Sequence, residues 1–486
     1  MGAIVHAPCG VLEGLAPDSH GVSAFLGIPY AAPPVGALRW KPPQRLTPWN
    51  GPCKAMAFAR RCIQHAPYGE LEPDSPGMSE DCLYLNVWTP DVSARLPVIF
   101  WIHGGEFWAG SGSEPRYNGA HLAERGAVIV TFNHRLGVFG FLSHPELSAE
   151  SEHRASGNYG LLDQIAALEW TRANIAAFGG DPDNITVAGE SAGSCSVSFL
   201  MASSLSKHLF HRALGESCAY FMPEPHAMKP LPHAQNEQRG VEFAQGAGVR
   251  SLAELRTLDG ESLLDVWLKD PSKRMQPCVD GHILPDVAGV FRLGQQANVP
   301  LLAGWNGDEY GFLRGIGAKF DSAAFWKRLT SSFGEQGASA LLAAYGEPLL
   351  EASADIASDR IMVWPTWKWV EEHAKRAPVF VYQFDRAAPG SAFGATHASE
   401  IEYVFGTLLS RPRNCAGEDL VLSRRMGDYW VNFARNGDPN AAGSVHWPRY
   451  GKDRVILHLD AEIAARSLNT AKLELLSELF AKGPQG

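Results

Sequence analysis

The chain has 486 residues, 45% of them hydrophobic and 19% charged, with 42 basic side chains against 52 acidic ones. That is enough apolar material for a large buried core, while a net charge of −10 without a basic tract excludes the usual footprint of a nucleic-acid or anionic-membrane partner. No apolar run reaches the length of a membrane span, and Met1 to His6 lack the basic and apolar regions of a secretion signal. A cytoplasmic protein is therefore expected, or a secreted one if a leader has been removed.

None of the eight cysteines forms a Cys-x-x-Cys pair, so neither a zinc ribbon nor a thioredoxin-like site is expected. Cys62 and Cys82 bracket a polar loop in which either a disulfide or two buried thiols would fit, and the other six read as small core residues. No internal repeat or low-complexity tract divides the chain, and a single domain over 1–486 is expected.

Along the chain, apolar strands alternate with glycine-rich turns and helical stretches. Leu96–Ile102 predicts a strand running into His103-Gly104-Gly105, and Ala127–Phe132 another running into Asn133-His134-Arg135. From Tyr159 to Phe178 the apolar residues Leu161, Leu162, Ile165, Leu168 and Ile175 fall at helical spacing, and Gly179-Gly180 stops the helix. Asn184–Ala188 predicts a short β-branched strand; Val299–Ala303 and Val379–Phe384 predict two later ones. The alternation implies an α/β fold with a mostly parallel sheet, helices on both faces, and a site at the carboxyl ends of the strands. Ala219 to Asn236 fits neither period and predicts a loop insertion over that site. His208 and His211 lie three apart on a predicted helix; with no third ligand nearby they read as one helix face, and no metal or cofactor is expected.

Gly189-Glu190-Ser191-Ala192-Gly193 follows the Asn184–Ala188 strand and opens a helix. A serine hydroxyl needs a base within reach to become a nucleophile, and a tight strand-to-helix turn with small residues two before and two after presents it that way. The helix amino end then points free N–H groups at developing negative charge. Upstream, His103-Gly104-Gly105-Glu106-Phe107 is similar to the His-Gly-Gly-Gly loop whose backbone donors hold an oxyanion in lipases and esterases. The fold's chain order of nucleophile, acid and histidine selects His397, on a loop after Val379–Phe384. Glu309 is the acid candidate just past the Val299–Ala303 strand, and periodicity does not separate it from Asp308.

Six segments then resemble the type-B carboxylesterase/cholinesterase family, which has the α/β-hydrolase fold. They are Phe25-Leu26-Gly27-Ile28-Pro29-Tyr30 with Pro33-Pro34-Val35-Gly36; Glu80 to Val87; Phe178-Gly179-Gly180-Asp181-Pro182 into the Ser191 turn; Val279-Asp280-Gly281 through Glu309; His397 with Glu400-Ile401 and Val404-Phe405-Gly406; and Trp430 with Phe433-Ala434 and Gly437-Asp438-Pro439-Asn440. The run from His103 to Pro115 is most similar to the bacterial para-nitrobenzyl-esterase branch. The resemblance implies a serine carboxylesterase with Ser191, Glu309 and His397 as catalytic triad. It implies Gly105, Glu106 and Ala192 as oxyanion donors, and Glu190, Ser217 and Glu400 as supporting groups around the histidine. It also implies a Cys62–Cys82 disulfide.

Glu106 replaces the third glycine of the oxyanion loop, Tyr310 the glycine that often follows the acid, and Ser194 a glycine after the elbow. Relatives that hold a quaternary ammonium do so on a tryptophan in the loop corresponding to Cys62–Cys82; here that loop has Tyr68 and no tryptophan, so the cation–π platform is missing. Phe107, Trp108, Tyr220, Phe221, Met222 and Phe312 are candidates for an apolar substrate pocket. The expected partner is a small-molecule ester, bound by a monomer or small homo-oligomer. A carbamate, amide or polyester could be cleaved by the same triad. Relatives that serve only as binding modules typically lack the serine or the histidine, both present here.

Overall fold

The computed structural model describes residues 2–65, 74–223, 226, 228–270, 275–388, 390–410 and 415–482. Its centre is a ten-stranded sheet: β1 (Ser23–Pro29), β2 (Tyr84–Thr89), β3 (Leu96–Ile102), β4 (Val128–Phe132), β5 (Gly180–Glu190), β6 (Arg212–Glu216), β7 (Leu301–Asn306), β8 (Val379–Phe384), β9 (Val455–Leu459) and β10 (Ala464–Ser467). The spatial order is β1-β2-β4-β3-β5-β6-β7-β8-β9-β10. Pairing is parallel from β4 through β9 and antiparallel at the two edges. The central strands are apolar runs rather than alternating ones because helices cover both faces. Val98 to Ile102 of β3, for instance, are all buried.

Crossovers over the faces include α1 (Ala120–Ala123), α2 (Tyr159–Asn174), α3 (Ala192–Ala202), α4 (Ile401–Phe405) and α5 (Gly417–Asn436). The stretch with helical spacing from Tyr159 becomes α2 followed by a tighter turn, Ile175–Phe178, and Gly179 ends it in a left-handed conformation (φ 79°). Strand β5 begins four residues earlier than the β-branched run suggested. Gly180 pairs with Leu96, after which a register shift admits Asp181-Pro182-Asp183, residues that no strand propensity favours.

Two other expectations change. His208 and His211 lie on no helix: α3 ends at Ala202, the chain turns, and His211 Nδ1 accepts a hydrogen bond from Ile185 N at 3.1 Å. The region 219–236 is loop only in part. Leu231–Pro232 pairs with Cys278–Val279, and His233 starts a helix to Gly246; 224, 225 and 227 lie outside the described residues.

The predicted Cys62–Cys82 disulfide is absent: both are buried free thiols. Cys62 Sγ accepts a hydrogen bond from Leu136 N at 3.3 Å, and contact with Cys62 together with burial pushes the Cys82 thiol well above its ordinary pKa. A thiol so held forms little of the thiolate that oxidation needs. Tyr68 lies outside the described residues, and Cys9, Cys53 and Cys415 are half-buried rather than core. Among the described residues no helix is long and apolar enough to cross a membrane.

Candidate active site

The register of the sheet decides where the chemistry sits. Glu190 of β5 lies opposite Glu216 of β6, which lies opposite Gly304 of β7. β5 and β6 therefore end level, β7 runs two residues further to Asn306, and Ser191, Ser217 and the turn from Asn306 all leave the sheet at its carboxyl edge.

Ser191 stands at the amino end of α3 with φ 56° and ψ −119°, an unfavourable conformation for a residue with a side chain. Its N–H donates to Glu216 O at 2.9 Å, and Cys195 N donates back to its carbonyl, so the turn is held from both sides. The flanking glycines are needed for close approach. A Cβ on Gly193 would stand 2.0 Å from Ile102 O, and one on Gly189 2.6 Å from Gly193 C. Gly104 of the preceding loop packs on the same turn, where a Cβ would meet Ser191 Cβ at 3.2 Å. That loop turns through three successive left-handed residues, Gly105, Glu106 and Phe107, at φ 103°, 56° and 67°. The predicted donors Gly105 and Glu106 directly follow Gly104 in this loop, while Ala192 opens α3, whose first-turn N–H groups have no partner within the helix.

His397 follows β8 on a loop tied to the acid's turn: its N–H donates to Glu309 O at 3.0 Å, and its ring Nδ1 lies 2.7 Å from Glu309 Oε2. Asp308, the rival in sequence, turns the other way, pairing with Arg314 at 2.5 Å and accepting from Gly394 N at 3.0 Å. The second oxygen of Glu309 accepts from Ser217 Oγ at 2.5 Å and Asn306 N at 2.9 Å. Ser217 therefore holds Glu309. Glu400 also acts at one remove, accepting from the Asn306 side-chain amide at 2.6 Å. Asn306 thus joins the two carboxylates, a role that the sequence does not reveal because nothing in its spacing says which carboxylates its backbone and side-chain amides will reach. Glu216 is the other residue missed: it lies buried under the elbow and accepts from Trp430 Nε1 at 2.7 Å, a contact made 214 positions away.

Charge is concentrated here. His397 Nε2 is 3.1 Å from Glu190 Oε1, at ion-pair distance but without hydrogen-bond alignment. Burial alone would lower the His397 pKa; the carboxylates of Glu190 and Glu309 outweigh it and raise the ring to about 10. Burial raises Glu190, and burial with the nearby Glu190 and Glu309 charges raises Glu400 to about 8. Glu216 is pushed well above the carboxylate range by burial and by Glu400. Replacing Glu190 by Gln removes the leading source of the upward shift on His397. If neutral His397 is the working form, the acidic limb of kcat/KM against pH is expected to move to lower pH in E190Q, and an unmoved limb contradicts this origin.

Glu400 also makes a stability prediction. Its folded pKa of about 8 lies above the unfolded value, so the native state keeps a proton that the unfolded chain has lost across the interval between them. Stability falls as pH rises through that window. His397 acts in the same direction, its contribution being complete below the unfolded value and lost as pH rises through about 10. In E400Q the fall in Tm from pH 5 to 9 is expected to be shallower than in the wild type, as followed by calorimetry; an equal slope would contradict it.

The aromatic candidates divide. Phe107, Tyr220 and Met222 are buried, with Phe107 stacked on Phe199 (6.0 Å between centroids) and Tyr220 edge-on to the same ring. Phe221 extends this wall and Trp108 packs edge-on to Trp267. Phe312 does not join them: it is 48% exposed, against Tyr310.

Comparison with known proteins places the chain in a family. The sequence model of the carboxylesterase family matches residues 2–476. The chain belongs to that family. It is 37% identical to the para-nitrobenzyl esterase of Bacillus subtilis over 95% of both chains. It is 34% identical to the fumonisin B1 esterase of Sphingopyxis macrogoltabida, covering 95% of this chain and 87% of that protein. A solved para-nitrobenzyl esterase superimposes with a TM-score of 0.84 at 34% identity, covering 99% of this chain and all of that one. The enzyme is thus a carboxylic ester hydrolase with the α/β-hydrolase fold.

Proposed function

We propose that the enzyme hydrolyses carboxylic esters through an acyl-enzyme on Ser191, with His397 as base and Glu309 as its orienting acid, all within one α/β-hydrolase domain. The observation that carries this is the paired contact of Glu309, one oxygen on His397 Nδ1 at 2.7 Å and the other on Ser217 and Asn306. An acid anchored on one side and aimed on the other holds the imidazole by Nδ1, so that Nε2 is the nitrogen that acts as base when the ring is neutral, as proton abstraction requires.

In the first half-reaction His397 Nε2 takes the Ser191 proton as Oγ adds to the ester carbonyl. The N–H groups of Gly105, Glu106 and Ala192 bind the oxygen that becomes negative. Collapse expels the alcohol, which leaves with the proton from His397. Water then repeats the sequence on the acyl-enzyme and returns the carboxylic acid and free serine. Donation from Glu106 uses its backbone; its carboxylate must be turned away from the oxyanion, or the like charge would oppose it. Phe107, Trp108, Tyr220, Phe221 and Met222 provide the apolar wall for a small-molecule ester.

A fluorophosphonate probe tests the assignment. It should label the wild-type enzyme at Ser191, as located by peptide mass spectrometry, and label H397A far more slowly. Labelling elsewhere, or equal rates in the two proteins, would overturn it.

A further inference from the structure

We propose that His20, His121 and Glu124 form a surface site for one divalent transition-metal ion. The three residues come from segments a hundred positions apart, and one ligand atom from each lies within 4.8 Å of the others. Glu124 Oε2 is the focus, 3.0 Å from His20 Nδ1 and 3.9 Å from His121 Nδ1. The imidazoles meet edge-on, centroids 4.8 Å apart at 71°. Ligand atoms around a tetrahedral zinc with bonds near 2.0–2.1 Å stand about 3.3 Å apart, so closure needs only small side-chain rotations.

The backbone under each ligand is fixed. Asp18 Oδ1 accepts from His20 N at 2.8 Å and Val22 N at 3.0 Å, setting the turn before β1. His121 and Glu124 share one face at the end of α1, three apart. Gly406, just past α4, packs on His121, where a Cβ would meet His121 Cβ at 2.9 Å. The neighbouring cation Arg125 is drawn away to Asp428 at 2.7 Å and does not compete for Glu124. Side-chain exposures of 39–47% leave the remaining coordination positions to water.

Two imidazoles and one carboxylate suit zinc, nickel or copper, whereas magnesium and calcium require a fuller oxygen shell. A bound ion would clip the turn before β1 to α1, stabilising the native chain without entering ester chemistry.

The test titrates zinc chloride into chelator-treated, dialysed full-length enzyme by calorimetry, with magnesium chloride as control and thermal unfolding in parallel. One equivalent is expected to bind with Kd on the order of 10 μM. Zinc at a hundredfold excess over Kd should raise Tm by about 3 °C, with magnesium inert. H20A and H121A should each weaken binding by at least about tenfold and H20A/H121A should abolish it, with ester hydrolysis retained as the check on folding. No binding to the wild type up to millimolar zinc would overturn the site. So would undiminished binding to H20A/H121A, which would place the ion on other groups, thiols included.

Discussion

Replacement of Ser191 by Ala is expected to lower kcat for p-nitrophenyl acetate by about a millionfold while leaving the fold and Tm nearly unchanged. The size follows from the chemistry. Without Oγ there is no acyl-enzyme, and His397 with Glu309 has nothing to deprotonate except water. What remains is binding and the backbone donors at 105, 106 and 192, whose share alone is about a thousandfold over water. Burst kinetics should vanish with turnover, since the acyl-enzyme accumulates only on the serine. Turnover within tenfold of wild type would sink the mechanism. The same variant separates binding from chemistry: if KM for a slow ester stays within a few-fold, the aromatic wall rather than the nucleophile holds the ground state.

The second large effect concerns stability. Arg135, at the exit of β4, is buried against Asp163 of α2, which is wholly buried, and the two form a forked pair at 2.8 and 2.7 Å. Asp163 also accepts from Arg135 N, and the guanidinium donates to Lys41 O at 2.8 Å. Asp163→Ala leaves a guanidinium buried without its anion, which costs about 3–5 kcal/mol. At roughly 2.1 cal/mol/K of unfolding entropy per residue, a chain this long would show that as a fall in Tm of only about 3–5 °C, so denaturant titration is the better measure. The double variant Arg135→Met/Asp163→Leu should recover most of the loss, because well-packed apolar replacements of buried pairs are often neutral. A double variant no better than Asp163→Ala would show that the contacts to Lys41 and the Arg135 backbone carry the energy instead.

Much of this was legible in the sequence for definite reasons. Leu96–Ile102 and Val379–Phe384 are strands with the predicted ends because short, mostly apolar runs between turn residues leave little choice of boundary. The elbow at Ser191 and the glycines around it were legible because only residues without bulk fit there. What was not legible depends on pairing across the sheet. Asn306, Glu216 and Trp430 meet their partners only through the register of β5, β6 and β7, which no local pattern encodes. The choice between Glu309 and Asp308 was likewise a matter of which carboxylate the turn aims at His397, and Arg314 draws Asp308 aside. Strain was invisible too. Of nine described non-glycine residues with positive φ, six (Glu106, Phe107, Ser191, Ser217, Cys218 and Ala398) surround the site, where the packed sheet can hold conformations that cost about 1–3 kcal/mol each.

The shared carboxyl edge of β5, β6 and β7 has a dynamic corollary. Amides in the middle of a doubly covered sheet exchange with solvent only when the whole domain opens, whereas surface segments exchange through small local openings. The backbone that presents Ser191, Ser217 and Asn306 is therefore tied to a slowly exchanging unit, and the aromatic wall of Phe107, Tyr220 and Met222 is buried against it.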